Sequence, residues 1–209
     1  MAEKKTTTKT TRKAKKVEVE TKPMRAFKDL RRILTKDTEV LIMNNTQGHF
    51  YYSCPKTNIG VDLSGFGDTQ VVSLELLETM KRRAKKFFQN YLIMIIDVYP
   101  DTDEEITVLD VLRYLDIQSL YKDIEMISDE DENNGHVYGE DFFDDLIVEK
   151  SKAEFDKIVR KMNKKLLIQF AHRCIELYRT GEFDSRYKMD TLQELLKNED
   201  LFSDIDLTI

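Results

Sequence analysis

The sequence predicts an α+β protein: a small antiparallel β-sheet of about five short strands packed by helices, a helical C-terminal part, and a disordered basic N-terminal arm. Three observations support this. Four of the chain's seven glycines lie between Asn44 and Asp68, where they separate short apolar and aromatic runs. The unbroken apolar run YLIMII at residues 91–96 has the length of a buried strand. Beyond it, apolar residues recur three or four positions apart, which is the helical period.

The chain of 209 residues, 41% of them hydrophobic, is long enough to bury a substantial core, and one body is the simplest organisation. We predict a basic arm at residues 1–22, an α+β domain at 23–126, an acidic loop at 127–145 and a C-terminal helical region at 146–209.

Charge is divided unevenly along the chain. Residues 1–36 carry 13 Lys and Arg against 4 Asp and Glu, whereas residues 37–209 carry 20 against 35, which together give the net charge of −6. A basic arm on an acidic body can bind another copy, an acidic partner or nucleic acid, and a solubilising tail is the alternative. The candidate nucleic-acid contacts in the arm are Lys4, Lys5, Lys9, Arg12, Lys13, Lys15 and Lys16.

The first residues lack the apolar core of a secretory signal, and no run reaches 18 apolar residues, so we expect a soluble protein made in the cytoplasm, without membrane contact. The two cysteines, Cys54 and Cys174, have no CxxC spacing and favour a reducing compartment. Walker A, GxGxxG and GxSxG patterns do not occur. We therefore expect no enzyme activity, no cofactor and no small-molecule substrate.

A short helix is predicted after Pro23, and strands follow it. EVLIMNN at 39–45 has strand composition, Gln47–Gly48 suits a two-residue turn, and HFYYS at 49–53 predicts the returning strand of a hairpin.

Pro55 ends this hairpin, and two more strands are predicted at 60–63 and at TQVVS, 69–73, with a tight turn at GFGD between them. Together these four strands would form a meander. The apolar run YLIMIIDV at 91–98 is expected to pair with it.

Helices dominate the remaining sequence. Ser73 is a good N-cap for a helix that reaches Asn90, and further helices are predicted at 106–115 and 117–127, with a step at Asp116.

Ser151 and Glu154 form a capping box for the longest predicted helix, which Gly181 closes, and a last short helix is predicted at 191–198. From Leu166 onward the apolar surface of the long helix covers more than half of its circumference. Such a helix is covered on several sides, by its own body or by another subunit. Ile168, Ala171 and Ile175 are the candidate interface residues.

Three other patterns suggest chemistry, each with a plainer alternative. Asp129, Asp131, Asn133 and Glu140 occupy calcium-loop positions one, three, five and twelve, but position six lacks its glycine, so we favour a solvated acidic loop without bound metal.

His49 and Cys54 could form a nucleophilic pair, but their odd separation on one strand points them to opposite faces. The basic run from Lys81 to Lys86 could neutralise phosphates or could simply be the wet face of a helix.

The runs NNTQGHFYYS, LSGFGDTQVVSLELLETM, FFQNYLIMIIDV and ITVLDVLRYLDIQSLYK resemble a family of uncharacterised structural proteins from tailed bacteriophages. The match covers about residues 38–122. It implies a virion component of the capsid vertex, neck or tail, without catalysis or cofactor, made in the host cytoplasm. Its expected partners are other virion proteins and copies of itself, in a homo-oligomer or ring. Phe50, Tyr51 and Tyr52 are then candidate contacts for neighbouring subunits.

The sequence therefore predicts a non-enzymatic assembly subunit of a phage particle. A nucleic-acid-binding accessory protein that uses the basic arm, and a cytoplasmic regulator that docks proteins on its C-terminal helices, are the alternatives.

Overall fold

The structure, a computed structural model, describes residues 25–54, 59–122 and 142–203, together with the backbone of residues 129–131 and 135–137. The predicted basic arm lies outside these residues. Helices and antiparallel sheets alternate up to Tyr121, and residues 142–203 are helical, so the predicted α+β class and the helical C-terminal part are confirmed.

The strands are β1 (Glu39–Asn44), β2 (Phe50–Ser53), β3 (Gly60–Leu63), β4 (Thr69–Ser73), β5 (Ile93–Tyr99), β6 (Asp129–Asp131) and β7 (Gly135–Val137). The helices before the acidic segment are α1 (Phe27–Ile33), α2 (Leu74–Arg83), α3 (Lys86–Gln89), α4 (Val108–Tyr114) and α5 (Gln118–Tyr121). Those after it are α6 (Phe142–Asp144), which continues as a π-helix (Asp145–Glu149), then α7 (Lys152–Val159), α8 (Lys164–Thr180) and α9 (Arg186–Leu196).

Strand β1 is the centre of a three-stranded antiparallel sheet with the order β4–β1–β5. Val40 lies opposite Val72 on one side and Val98 on the other, and all three side chains are buried. This face of the sheet packs on the core. The predicted pairing of the apolar run with the earlier strands is confirmed in β5.

The predicted hairpin between β1 and β2 is wrong. Strand β2 pairs with β3, with Phe50 opposite Leu63, in a separate two-stranded sheet. Since β4 and β5 occupy both edges of β1, no edge remains for β2. The predicted single meander is therefore two ladders, although β3 and β4 have the predicted bounds.

Side chains bind polar backbone groups beside the outer strands of the larger sheet. On β4, the Gln70 amide group donates to the Gly60 carbonyl and accepts from the Asp62 N–H, which ties β4 to β3. On β5, the Ile95 N–H donates to the Tyr121 hydroxyl at 2.7 Å. Satisfying backbone groups at strand edges in this way limits pairing with other chains.

The predicted GFGD turn is confirmed. Gly67 has φ of +80°, a conformation that L-residues with a side chain rarely adopt. Its N–H donates to the Asn44 carbonyl, and the Asn44 N–H donates to the Asp68 carbonyl at 2.8 Å. The turn is thereby fixed to the end of β1.

Helix α2 begins at the predicted N-cap, where the Ser73 hydroxyl accepts from the Leu76 N–H. It ends at Arg83, so the prediction of one helix as far as Asn90 is wrong: Ala84 leaves helical geometry at φ −135° and ψ 43°. The break redirects the chain, so that the following aromatic pair in α3 packs inward.

The longest predicted helix is also divided in two. Its start and end are confirmed, by the Ser151–Glu154 capping box and by Gly181 at φ +80°. Between them, the Asn163 side chain accepts from the N–H groups of Lys165 and Leu166 and so caps a new helix, α8.

A chain of aromatic rings joins the sheet to the C-terminal helices. Phe66, in the GFGD turn, stacks on Phe143 with centroids 6.1 Å apart, and Phe143 meets Phe170 of α8 edge-on at 5.2 Å. Phe143 and Phe170 are fully buried. One hydrophobic core therefore extends from the sheet to the helices, and the glycine turn places a ring in it.

Candidate functional site

The predicted aromatic contact residues of β2 divide between core and surface. Phe50 is 6% exposed and meets the Phe87 ring edge-on at 5.0 Å, and Tyr52 meets the same ring at 5.9 Å. Tyr51 points the other way and is 62% exposed. Of the triplet, Tyr51 therefore offers the surface that a partner could cover.

Tyr51 is surrounded by polar groups. It lies opposite Asp62 in the β2–β3 ladder, and the His49 ring stacks against it at 6.3 Å. The His49 Nε2 atom contacts the Asp62 carboxylate. Cys54 is instead buried at the end of β2, and its N–H donates to the Ile59 carbonyl. The sequence expectation against a His49–Cys54 nucleophile agrees with this placement of the two side chains.

The wide apolar surface of α8 is covered mainly by the chain itself. Ala171 is 1% exposed, so it has almost no surface left for a partner. The other residues of this surface that are buried within the chain are Leu166, Leu167, Phe170, Cys174 and Leu177. Ile168 and Ile175 remain half-buried, about two turns apart on one face. The interface prediction drawn from this helix now concerns these two residues.

An exposed apolar patch that sequence reasoning missed lies on the sheet. Val71 of β4 faces Leu41 of β1, and Tyr99 of β5 is the diagonal neighbour of Leu41 on the same face. Val71 is 44% exposed, Tyr99 is 43% exposed and Leu41 is half-buried. We call these three residues the open sheet face. Strand alternation of the type seen here could have indicated it, but only once the pairing of β1 was known.

The acidic segment contains a backbone hairpin that was not predicted, with Asp129 opposite Val137 and Asp131 opposite Gly135. Asn133 and Glu140 of the candidate calcium loop lie outside the described residues, and so do the side chains of Asp129 and Asp131. Calcium binding there stays untested. The candidate nucleic-acid contacts of the arm, from Lys4 to Lys16, also lie outside the described residues.

A cleft of about 540 Å³ lies between α2 and the chain ends that flank residues 55–58. Cys54 and Ile59 line one side, and Leu76, Thr79, Arg82 and Arg83 line the α2 side. Arg82 and Arg83 belong to the basic run noted in the sequence. A concavity beside them could not be predicted, because Cys54 and Ile59 are distant from these arginines in the chain.

The Tyr52 hydroxyl interacts electrostatically with Cys54 and Arg83, two residues that line this cleft. Burial is the main cause that raises its pKa, Cys54 raises it further, and Arg83 lowers it. The hydroxyl oxygen is buried without a hydrogen-bond partner in the described part of the chain. A buried hydroxyl that lacks a partner is costly, so this region has an unmet polar group.

Charged groups are buried among the C-terminal helices. Arg173 of α8 binds both carboxylate oxygens of Asp144 and one of Glu176, and its guanidinium stacks 4.5 Å from the Phe66 ring centroid. The Asp144 hydrogen bonds raise the pKa of Arg173 above its ordinary value.

Lys188 of α9 is 5% exposed, and its Nζ atom donates to the Ile147 carbonyl of the π-helix at 2.6 Å. Burial lowers the pKa of Lys188 and raises that of the neighbouring Cys174 thiol, while each group opposes the shift of the other. Buried ammonium and thiol groups in such surroundings are structural, since neither reaches solvent.

Within the described ranges, no three His, Cys, Asp or Glu side chains converge in a way that could hold a metal ion. The helices of the same residues are all too short or too polar to cross a membrane.

No protein-family model matches this chain, and neither a curated protein nor a solved structure matches it.

Proposed function

We propose that this chain is a non-enzymatic assembly protein of a tailed bacteriophage particle, at the capsid vertex, neck or tail, which acts through protein–protein contacts. The proposal rests on the resemblance of residues 38–122 to phage structural proteins. The structural observation that carries it is the open sheet face.

The two faces of the three-stranded sheet differ in exposure at neighbouring rows of paired residues. Val40, Val72 and Val98 are 0%, 5% and 7% exposed on the core face. On the other face, Val71 and Tyr99 keep more than two fifths of their surface in contact with solvent. Strand positions that only served solubility would carry polar residues here, as an antiparallel sheet with one wet face usually does.

The composition of the open sheet face suits a protein partner. Leu41 and Val71 are paired on this face, and Tyr99 lies diagonal to Leu41. The exposed carboxylates of Asp97 and Glu39 lie opposite Leu41 and Tyr99, so apolar and acidic side chains alternate. Protein interfaces combine apolar and polar side chains, and tyrosine is enriched in them. Tyr51 and the Ile168–Ile175 pair offer two further apolar contacts for a ring or stack of copies.

The experiment places a charge on the open sheet face of the full-length chain. Val71→Lys should weaken self-association at least 30-fold, since a central apolar anchor contributes about 2 kcal/mol to an interface. Leu109→Lys is the control, because Leu109 of α4 is similarly exposed, at 41%, away from the sheet. Light scattering over a concentration series gives the mass, and circular dichroism reports whether the fold survives.

A wild-type chain that stays monomeric at every concentration and does not enter particles with other virion proteins would remove the proposal. Equal losses in Val71→Lys and Leu109→Lys would remove the role of the open sheet face. The corresponding test of α8 is Ile168→Asp or Ile175→Asp, which should block assembly and leave the monomer folded.

A nucleic-acid-binding accessory protein is the second candidate, and one observation favours it. Arg82, Arg83, Lys85 and Lys86 are exposed, and within the described residues none of them forms an ion pair with a carboxylate. With the basic arm they would supply a phosphate-binding surface.

Fluorescence anisotropy of a labelled DNA duplex distinguishes the two functions. A binder that neutralises several phosphates loses affinity steeply with salt, with a log–log slope of about −0.9 for each phosphate contacted. The assembly proposal predicts weak binding with little difference between wild type and a Lys85→Gln, Lys86→Gln variant. Strong binding that this variant or an Arg12→Gln, Lys13→Gln variant weakens would favour the second function.

A further inference from the structure

The cleft beside α2 has an uneven distribution of charge. At its N-terminal end, Glu75 is neutralised by Lys36, whose Nζ atom lies 2.9 Å from the carboxylate. At its C-terminal end, Arg82 and Arg83 have no carboxylate partner in the part of the chain that the structure describes. The Arg82 guanidinium donates to the Thr79 hydroxyl at 3.5 Å. One end of the cleft is therefore cationic and uncompensated.

The walls of the cleft provide both apolar and polar contacts. Leu76 and Cys54 are 4% and 2% exposed and form an apolar floor, and Ile59, at 53% exposed, forms part of the rim. The Thr79 hydroxyl lies between this floor and the two arginines. An apolar site with a few converging polar groups is the usual form of a small-molecule site.

Size supports the same interpretation. The volume of about 540 Å³ lies within the range of roughly 300–1,000 Å³ that small-molecule sites occupy. A guanidinium group presents a planar fork of N–H donors that matches the oxygens of phosphate, and two guanidinium groups match the charge of a phosphate dianion.

We propose that the cleft lined by Leu76, Thr79, Arg82 and Arg83 binds a small organic phosphate, with the phosphate at the arginines and the organic part on the apolar floor. This site is separate from the open sheet face and does not depend on the assembly function.

Isothermal titration calorimetry of the full-length chain with phenyl phosphate tests the proposal. We expect saturable one-site binding that Arg83→Met and Arg82→Met each weaken by about tenfold or more, as the loss of a charged hydrogen bond does. Lys85→Met is the matched control, since Lys85 is exposed on the same basic run but does not line the cleft. It should bind within about twofold of wild type.

Two further arms separate a built site from general attraction of anions. Thr79→Phe fills the cleft without changing its charge and should abolish binding, and benzoate should bind more weakly than phenyl phosphate. Absence of saturation, equal affinity for inorganic phosphate and phenyl phosphate, or the same loss in Lys85→Met as in Arg83→Met would each overturn the proposal. Competition by duplex DNA that disappears in Lys85→Met would instead identify this face as a nucleic-acid surface and would also overturn it.

Discussion

Each half of the molecule buries both neutral and charged side chains, and the amides of one half can be compared with the cations of the other. In residues 25–122 the amides of Asn44 and Asn45 are 0% and 1% exposed, and the carboxylate residue Asp110 is 8% exposed. In residues 142–203 Lys188 is 5% exposed and the side chain of Arg173 is 18% exposed, and the amide residue Gln169 is 8% exposed. A neutral amide responds little to salt or pH, whereas a buried cation depends on its partners and on its protonation. We therefore expect the sites of Arg173 and Lys188 to respond to solution conditions in ways that the Asn44 site does not.

The buried Asn44 side chain forms hydrogen bonds with both its amide nitrogen and its amide oxygen. Its amide N–H donates to the Gly48 carbonyl at 2.8 Å, and its oxygen accepts from both the backbone N–H and the hydroxyl of Thr46. Asn45 donates to the Tyr91 carbonyl, but its oxygen has no partner in the described residues. In residues 142–203, Arg173 donates to two carboxylates, while Lys188 donates to the Ile147 carbonyl.

The largest expected effect comes from the ring that joins the two halves. Phe143→Ala removes a fully buried side chain between Phe66 and Phe170 and should cost about 3–5 kcal/mol of unfolding free energy. Phe27→Ala is the control, because Phe27 is 46% exposed, and it should cost less than about 1 kcal/mol. Urea denaturation followed by circular dichroism measures both.

If the halves share one core, Phe143→Ala should lower the midpoint of a single transition. Two separate transitions in the wild-type protein would instead show that the halves are independent, and the comparison would then concern two domains.

The next effect tests the paired cation. Arg173→Met leaves the carboxylate of Asp144 partly buried without its bidentate partner and loses the contact with Phe66, so we expect a cost of about 2–4 kcal/mol. Arg160→Met is the matched control, because Arg160 also binds two carboxylates but is more exposed, at 42%, and it should cost clearly less than Arg173→Met. Similar costs for the two variants in thermal unfolding would mean that burial of the charge makes no difference.

The Asn44 site should respond to substitution but not to salt. Asn44→Ala leaves the Thr46 backbone N–H without its acceptor and removes the amide donor from the Gly48 carbonyl, which keeps the Thr46 hydroxyl, so we expect a cost of about 1–3 kcal/mol. Because no charge is involved, that cost should be the same at low and high salt, whereas the cost of Arg173→Met should fall as salt rises. Urea denaturation measures the difference in unfolding free energy between wild type and Asn44→Ala. A strong salt dependence of that difference would contradict the expected contrast between the Asn44 and Arg173 sites.

Local signals in the sequence predicted the elements better than their pairing. Glycine and proline punctuation gave the bounds of β3 and β4, and Ser73 and Ser151 gave the N-caps, because these effects depend on a few neighbouring residues. The partner of β1 could not be predicted in the same way. Its pairing with β5 joins residues far apart in sequence, whereas the local pattern favoured a hairpin with β2.

The candidate sites show the same limit. Arg82 and Arg83 were recognisable as a basic run, but the cleft exists only because the chain brings Cys54 and Ile59 against α2. Asn163 caps the start of α8, at a position where the sequence showed only a polar residue within a helical pattern. Lys188 gave no signal at all, since a single lysine in a short amphipathic helix usually points to solvent.

The smallest expected effect concerns Lys188, and its test is the direction in which the unfolding free energy changes with pH. Burial lowers the pKa of Lys188 below its ordinary 10.5 in the folded chain, where the other titratable group that acts on it is the Cys174 thiol. Between the lowered pKa and 10.5 the unfolded chain binds more protons than the folded chain, so this group makes the unfolding free energy rise with pH in that window. Lys188→Met lacks this rise and at neutral pH should lie within about 1 kcal/mol of wild type, since it loses one hydrogen bond but also removes a buried charge.

The control for Lys188 has the opposite sign. The Glu75 hydrogen bond raises the pKa of Lys36, so the stability that Lys36 contributes is present below 10.5 and is lost as pH rises through its higher folded value. Urea denaturation of wild type, Lys188→Met and Lys36→Met from neutral pH to about pH 11 gives the two difference curves. The wild-type advantage over Lys188→Met should increase with pH, and that over Lys36→Met should decrease at the alkaline end. A flat or falling curve for Lys188 would show that its ammonium group is solvated in the folded chain. The comparison with the buried amides would then rest on Arg173.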